Sequence, residues 1–448
     1  MKMHPIIWTA VVLFLNLPAA AVYAQTPVLD QYISEGLSQS DVIKQKQFGQ
    51  QQLQYALDEA KGLALPSVGL NGAYTLAAGG RTISIPVGDM LNPVYSTLNQ
   101  LTQSNAFPQI ENVEEQLSPN NFYDLKIRTT YPLYNPDVRY NKQIKEQAIG
   151  LGVLDIAVQQ KDLTRDIRLA YFQYMQAHQA VVIYTQALVL ARENRRVNQK
   201  LYENGMANNT VVIRADNEVS KLEAQLSEVE NQKRNAGAYF NFLLNKPLDT
   251  PIIEDAALTD VNYPFPASFQ GEPLQREELR QLAIVNTTLE TALKWRESFK
   301  LPRVSAFMDI GSQGFDFQVN DRTLYLIGGL SIDLPLYKGK TNLAKVKQAE
   351  MEVAAATTQQ AYVADQLALQ WDTSLRSYNS ALQVFKSSRG QVDSAERYFR
   401  DTEKRYREGQ ALYIEYLDAR NELTQAQLQQ SVQLLNVWMS WAKMERAR

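Results

Sequence analysis

Seam positions recur along the chain at Leu163, Ile167, Ala170, Tyr174, Ala177, Val181, Leu188 and Ala191. They recur again at Tyr378, Leu382, Phe385, Val392, Ala395, Phe399, Thr402 and Tyr406. Steps of three, four and seven sustained over such distances mark coiled-coil packing rather than a globular 3.6-residue stripe. Proline is absent from Asp137 to Lys246 and from Leu336 to Arg448, as uninterrupted helices require. Each stretch holds a turn-like Gly near its middle, in Tyr202-Glu203-Asn204-Gly205 and Tyr406-Arg407-Glu408-Gly409. The pattern predicts two helical hairpins, over 137–246 and 339–448, with first helices roughly 100 Å long.

A second period, of two residues, precedes each hairpin. Val68, Leu70, Gly72, Tyr74 and Leu76 alternate with Gly69, Asn71, Ala73 and Thr75, and Tyr123, Leu125, Ile127, Thr129, Tyr131 and Leu133 with Asp124, Lys126, Arg128 and Thr130. Val304, Ala306, Met308 and Ile310 alternate with Ser305, Phe307 and Asp309, and Leu324, Leu326, Leu330, Ile332, Leu334 and Leu336 with polar or small residues. These predict strand pairs near 66–78 and 121–134, then near 302–311 and 323–337. Strands apolar on one side and polar on the other suit a membrane barrel with lipid outside and water inside; a soluble sheet packed on a core would share the alternation.

The punctuation is duplicated. Leu65-Pro66-Ser67-Val68 matches Leu301-Pro302-Arg303-Val304, and Tyr131-Pro132-Leu133-Tyr134 matches Leu334-Pro335-Leu336-Tyr337. Pro132 lies 73 residues before Gly205, and Pro335 lies 74 before Gly409. Such spacing implies a two-fold internal repeat, 25–246 and 274–448, each with an opening helix, joined by a Pro-rich linker at 247–273. The halves differ in the segment between their strands: 79–120 reads as a long loop that could narrow a pore, and 311–322 as a short one.

Composition narrows the function. Residues 1–24 read as a signal peptide, with Lys2, the apolar run Ile6–Leu17 and a small-residue site ending at Ala24. The later sequence holds no run of about 18 apolar residues, so entry into a membrane requires a barrel. A formal net charge of -3 gives no footprint for nucleic acid. There is no Cys, and His178 is the only His after the signal. No metal-ligand cluster or phosphate loop stands out, so an enzyme is unsupported and no cofactor is expected. An exported coiled-coil scaffold would use the same helices but needs no alternating strands. Four strands cannot close in lipid, because an open edge leaves N–H and C=O groups unpaired. Two copies would make a filled eight-stranded barrel, and three a twelve-stranded one with a lumen.

The ordered set of Leu-Pro strand starts, Pro-Leu-Tyr helix entries and Tyr-x-x-Gly turns resembles the outer-membrane efflux protein (TolC-like) family. The resemblance is strongest where Tyr406-Arg407-Glu408-Gly409 is followed by Ile414-Glu415-Tyr416-Leu417-Asp418-Ala419. It implies a mainly α fold with membrane β. In it a homotrimer builds a twelve-stranded outer-membrane barrel and a long coiled-coil α-helical tunnel across the periplasm. It further implies the exit duct of a tripartite efflux system, passing small molecules. The partners would be a periplasmic adaptor (membrane fusion protein), an inner-membrane pump of the resistance-nodulation-division type, and outer-membrane lipid. An outlet for type I protein secretion is the alternative. The family's entrance acids fall on Glu415 and Asp418, where three copies would place six carboxylates. The matching first-repeat stretch, Asn208-Asn209-Thr210-Val211, has no acid to bond the hairpins together. Gly205, Met206, Val211, Gly409, Leu412, Tyr413 and Ile414 at the hairpin tips would form the adaptor surface, exposed apolar groups where solvent is expected.

Overall fold

The computed structural model describes residues 27–262, 264–266 and 276–448. The expected signal peptide and much of the expected linker fall outside them. Two helices, α1 (Pro27–Gln39) and α2 (Asp41–Gly62), lead into strand β1 (Ser67–Thr75). Then come β2 (Thr82–Ile85), α3 (Val87–Thr102), β3 (Val113–Gln116) and β4 (Phe122–Tyr134). The first hairpin is α4 (Pro136–Glu203) and α5 (Asn209–Leu243). The second half runs α6 (Glu277–Glu297), β5 (Arg303–Phe315), β6 (Leu324–Asp333), α7 (Thr341–Arg407) and α8 (Tyr413–Ala447). The chain divides into two compact units, one of residues up to Gln47 with Leu154–Arg280 and Ala361–Arg448, the other of Phe48–Val153 with Gln281–Gln360.

The first unit is helical. Its core collects Ile167, Tyr171 and Met175 from α4, Phe240 and Leu244 from α5, Tyr378 and Phe385 from α7, and Leu435, Trp438 and Trp441 from α8. The i, i+4 spacing of the α4 trio puts all three on one helix face. Gly36 on α1 lets that helix close on the core, since a Cβ there would lie 2.5 Å from Ile167 Cδ1. The described part of 247–273 is not a free linker. Ile253 donates its N–H to Tyr32 Oη at 2.9 Å and accepts from Tyr171 Oη at 2.8 Å, while Asn241 Nδ2 donates to the carbonyls of Leu248 and Thr250. Leu258, on a short 3₁₀ turn at Ala256–Thr259, is buried in the core. Proline count signals the break in helix there but carries no information about this packing.

The second unit holds a four-stranded antiparallel sheet in the order β1-β4-β5-β6. Sequence alternation predicts strands at all four places. β5 runs on to Phe315, past the expected end near 311, and β6 stops at Asp333, before the expected 337. Pro335 supplies no N–H to extend the β6 ladder. Pro132 is tolerated inside β4 because β1 pairs only as far as Thr130, and a register shift follows at Pro132/Tyr134. Opposite the helix-bearing ends of the strands, 79–120 is not a plain loop. β2 and β3 pair antiparallel, and α3 lies between them.

The helical segments of this unit pack closely. A Cβ on Gly152 would meet Gln50 Oε1 at 2.1 Å and Leu53 Cδ1 at 2.9 Å, so α2 and α4 approach where glycine sits. Asp137, in the first turn of α4, accepts from Trp295 Nε1 at 2.7 Å and Arg303 Nε at 2.8 Å, tying the helix entry to α6 and to the start of β5.

Candidate functional site

The sheet has two chemically distinct faces. Register aligns Leu70, Ile127, Ile310 and Leu326 across all four strands on one face, with Val68, Thr129 and Met308 in the next row. These apolar side chains are uncovered: Leu70 is 72% exposed and Leu326 68%. Exposed apolar area of this extent is unfavourable in water and calls for lipid or a partner. The other face is polar. Arg128 on β4 donates to Asp309 on β5 through Nε at 2.7 Å and Nη2 at 2.6 Å, a bidentate pair joining the two sequence halves. Arg128 also lies over the Phe307 ring. Lys126 Nζ donates to Asp124 Oδ2 at 2.5 Å, and Tyr325 Oη donates to Asp124 Oδ1 at 2.8 Å. Both outer strands, β1 and β6, have an unpaired edge.

In the helical unit the two hairpins end alike. Gly205 donates to Tyr202 O and Met206 to Leu201 O; Gly409 donates to Tyr406 O and Gln410 to Arg405 O. Each is a Schellman closure whose residue must take positive φ, here +75° and +73°, which only glycine adopts without strain. The return helices are capped differently. Asn208 Oδ1 accepts from Thr210 N at 3.1 Å to start α5, whereas Glu415 Oε2 accepts from Leu412 N at 2.9 Å to start α8.

Between these ends lies a small core of Ala215, Tyr413, Tyr416 and Leu417, with Val211, Phe399 and Tyr406 packed against it. Tyr406 stacks on Tyr416 at 5.2 Å, and Tyr413 lies 6.2 Å from Tyr416. Burial pushes the phenols of Tyr406, Tyr413 and Tyr416 up from their ordinary range. Tyr406 Oη donates to Asn198 Oδ1 at 2.5 Å, and Asn198 Nδ2 donates to Asn194 Oδ1 at 2.8 Å. Arg420 on α8 pairs with Glu218 on α5, both largely buried.

The sequence-derived residues are placed unevenly. Gly205, Met206, Gly409, Leu412 and Ile414 are exposed at the hairpin ends, Met206 to 76%. Val211 is half-buried against the aromatic core. Tyr413 corrects the reading of an exposed apolar tip: it is buried among Tyr406, Tyr416 and Ala215, because the first turn of α8 directs it inward. Glu415 and Asp418 are both exposed, and Glu415 also serves as the helix cap. The absence of an acid in 208–211 suggested no bond between the hairpins. The bonds exist, but they start from Asn198 and Glu218 on either side of that stretch. Neither residue stood out in the sequence, because an Asn and a Glu on a charged helix give no signal without their partners. Among the described residues no acidic, His or Cys cluster could hold a metal, and no helix is long and apolar enough to cross a membrane.

Residues 294–446 match the family described as outer membrane efflux protein. No curated protein sequence matches the chain. Solved structures share the fold over almost its whole length. The outer membrane protein VceC of Vibrio cholerae is 16% identical with a TM-score of 0.71, covering 94% of this chain and 95% of its own. The CmeC outer membrane channel of Campylobacter jejuni is 15% identical with a TM-score of 0.72, over 94% of this chain and 85% of its own. The MtrE outer membrane channel of Neisseria gonorrhoeae, in its open state, is 14% identical with a TM-score of 0.74, over 94% and 88%. The family match thus takes in β5, β6 and the second hairpin, and the fold of these outer-membrane channels is shared by nearly the whole chain.

Proposed function

We propose that the chain is the exit duct of a tripartite efflux system, passing small molecules from an inner-membrane pump of the resistance-nodulation-division type, through a periplasmic adaptor, to the exterior. The observation that carries this reading is the open four-stranded sheet with one bare apolar face and two unpaired edges. The apolar face suits lipid, but the two open edges are not tolerable there for one copy, since each buried unpaired backbone group costs several kcal/mol. Three copies supply twelve strands, close both edges and leave room for a lumen lined by the face that carries Arg128 and Asp309.

The hairpin ends are the adaptor surface in this reading, through Gly205, Met206, Val211, Gly409, Leu412 and Ile414. Glu415 and Asp418, one helical turn apart, give six carboxylates around the entrance of a trimer and favour cations there. The test is purification in detergent, followed by native mass and planar-bilayer recording. Three copies per particle and stepwise conductance are expected; a soluble, non-conducting product overturns the proposal. Crosslinkers placed at Met206 and Leu412 should capture a periplasmic adaptor in cells, and capture of none removes the tripartite part.

A further inference from the structure

The segment between β1 and β4 is a built module. Asn92 accepts from Ile110 N at 2.8 Å and donates to Ile110 O at 2.9 Å; Asn99 does the same with Phe107, at 3.1 and 2.8 Å. Asn112 Oδ1 accepts from Asp89 N at 3.1 Å and its Nδ2 donates to Asp89 Oδ2 at 3.0 Å. Three amides thus lace α3 to its returning chain as a β-ladder would. Gly88 makes the closest approach, since a Cβ there would stand 2.3 Å from Ile110 O. Leu91, Tyr95 and Leu98 on the inner face of α3 are half-buried, and Tyr95 meets Phe107 at 5.8 Å.

Among the described residues the other face of α3 has no partner. Met90, Val94, Thr97 and Leu101 are all exposed, Met90 to 70% and Leu101 to 76%. Their spacing of four, three and four is that of a coiled-coil seam. Between β1 and β4 the module carries Asp89, Glu111, Glu114 and Glu115 against a single cation, Arg81. This net acidic character disfavours an anionic lipid surface, where basic side chains supply the attraction. The module is also rooted at the seam between copies: it leaves from β1, an edge strand, and its first strand begins seven residues past that strand's end.

We propose that this stripe is a contact between copies of the chain, with Met90, Val94, Thr97 and Leu101 of α3 packing on the same helix of neighbouring copies at the outer mouth of the barrel. The inference rests on the trimeric reading above. Each copy then brings the same apolar helix toward one rotation axis, and cyclic symmetry lets identical stripes meet. Packed this way, the α3 helices narrow the mouth of the barrel.

Because the chain has no Cys, single replacements test this cleanly. Val94→Cys and Leu101→Cys in the full-length chain, oxidised in the membrane, should each form a reducible dimer between copies. Glu111→Cys, exposed on the returning chain at the other side of the module, should remain monomeric on the same gel. Particles that contain three copies by native mass but whose Val94→Cys and Leu101→Cys chains stay unlinked overturn the contact and leave the trimer standing. Equal linkage at Glu111→Cys overturns it as well, by showing unspecific collision. A single copy per particle overturns the trimer and this contact together.

Discussion

Tyr406 on α7 donates its hydroxyl proton to Asn198 Oδ1 on α4 at 2.5 Å, at a point where Asn198 has no exposed surface. The bond joins the two hairpins just above their Gly turns, and the Arg420–Glu218 pair joins them again on the return helices. Both bonds fix how the second hairpin lies against the first. Tyr406→Phe keeps the ring stacked on Tyr416 and removes only the hydroxyl. It should cost about 1 kcal/mol for the lost hydrogen bond, rising to roughly 3 kcal/mol if Asn198 Oδ1 finds no other donor. A lower thermal midpoint with a larger single-channel conductance is expected. An unchanged conductance would assign the bond to packing alone.

Arg128 and Asp309 form the only bidentate contact described between β4 and β5, and they stand on the face opposite the apolar rows. Their removal is testable as a cycle. Asp309→Asn leaves a guanidinium without its charge partner, and Arg128→Gln leaves the carboxylate likewise. Each single variant should lower the heat resistance of the assembled particle, and the double variant should lose less than the two losses added. Strict additivity in thermal midpoints would show that the pair does not couple the halves of the sheet.

Gly311 on β5 lies flush against β4. A Cβ at that position would fall 2.5 Å from Leu125 O and 2.8 Å from Lys126 Cβ, atoms of a hydrogen-bonded ladder that cannot swing aside. Gly311→Ala should cost about 1–3 kcal/mol through overpacking and reduce the yield of assembled particles. Gly69→Ala, where nothing stands within 4 Å in the chain, is the matched comparison on β1. Equal yields from the two variants would remove the steric argument.

How much of this was legible beforehand depended on the range of the interaction. The strand at Ser67–Thr75 and the seam from Leu163 to Ala191 are properties of neighbouring residues, and periods of two and seven display them directly. Gly205 and Gly409 are equally local, because a helix end with positive φ selects glycine by itself. The order of the segment from Gly79 to Asn120 was hidden. Asn92, Asn99 and Asn112 act there as substitutes for backbone, and an Asn that bridges 18 residues looks the same in sequence as one in solvent. Tyr406 with Asn198 and Arg128 with Asp309 are separated by 208 and 181 residues, so each pair exists only once the fold sets its register. Tyr413 was misread for a related reason. Being next to a turn suggested exposure, while the direction of its side chain depends on where α8 begins.

Glu278 provides a pH dependence with a definite sign. Burial opposes its ionisation, but hydrogen bonds from Arg276 and Arg446 outweigh that and hold its carboxyl down at about 2, against an ordinary 4.5. Arg276 Nη2 and Arg446 Nη2 reach Glu278 Oε1 at 2.7 and 2.6 Å, and Arg446 Nε reaches Asp162 Oδ1 at 2.9 Å. This knots the entry of α6 to the end of α8 and to α4. A carboxyl depressed in the folded state binds fewer protons there than in the unfolded chain. Its stabilisation is therefore full above the unfolded value of about 4.5 and is lost as pH falls toward about 2. Denaturant midpoints in detergent should decline through that window for the parent protein. Glu278→Gln should start lower at pH 7, with two arginines short of a charged partner, and decline less steeply on acidification. If its acid limb parallels the parent's, other carboxylates govern the transition and the knot is not the element that fails first.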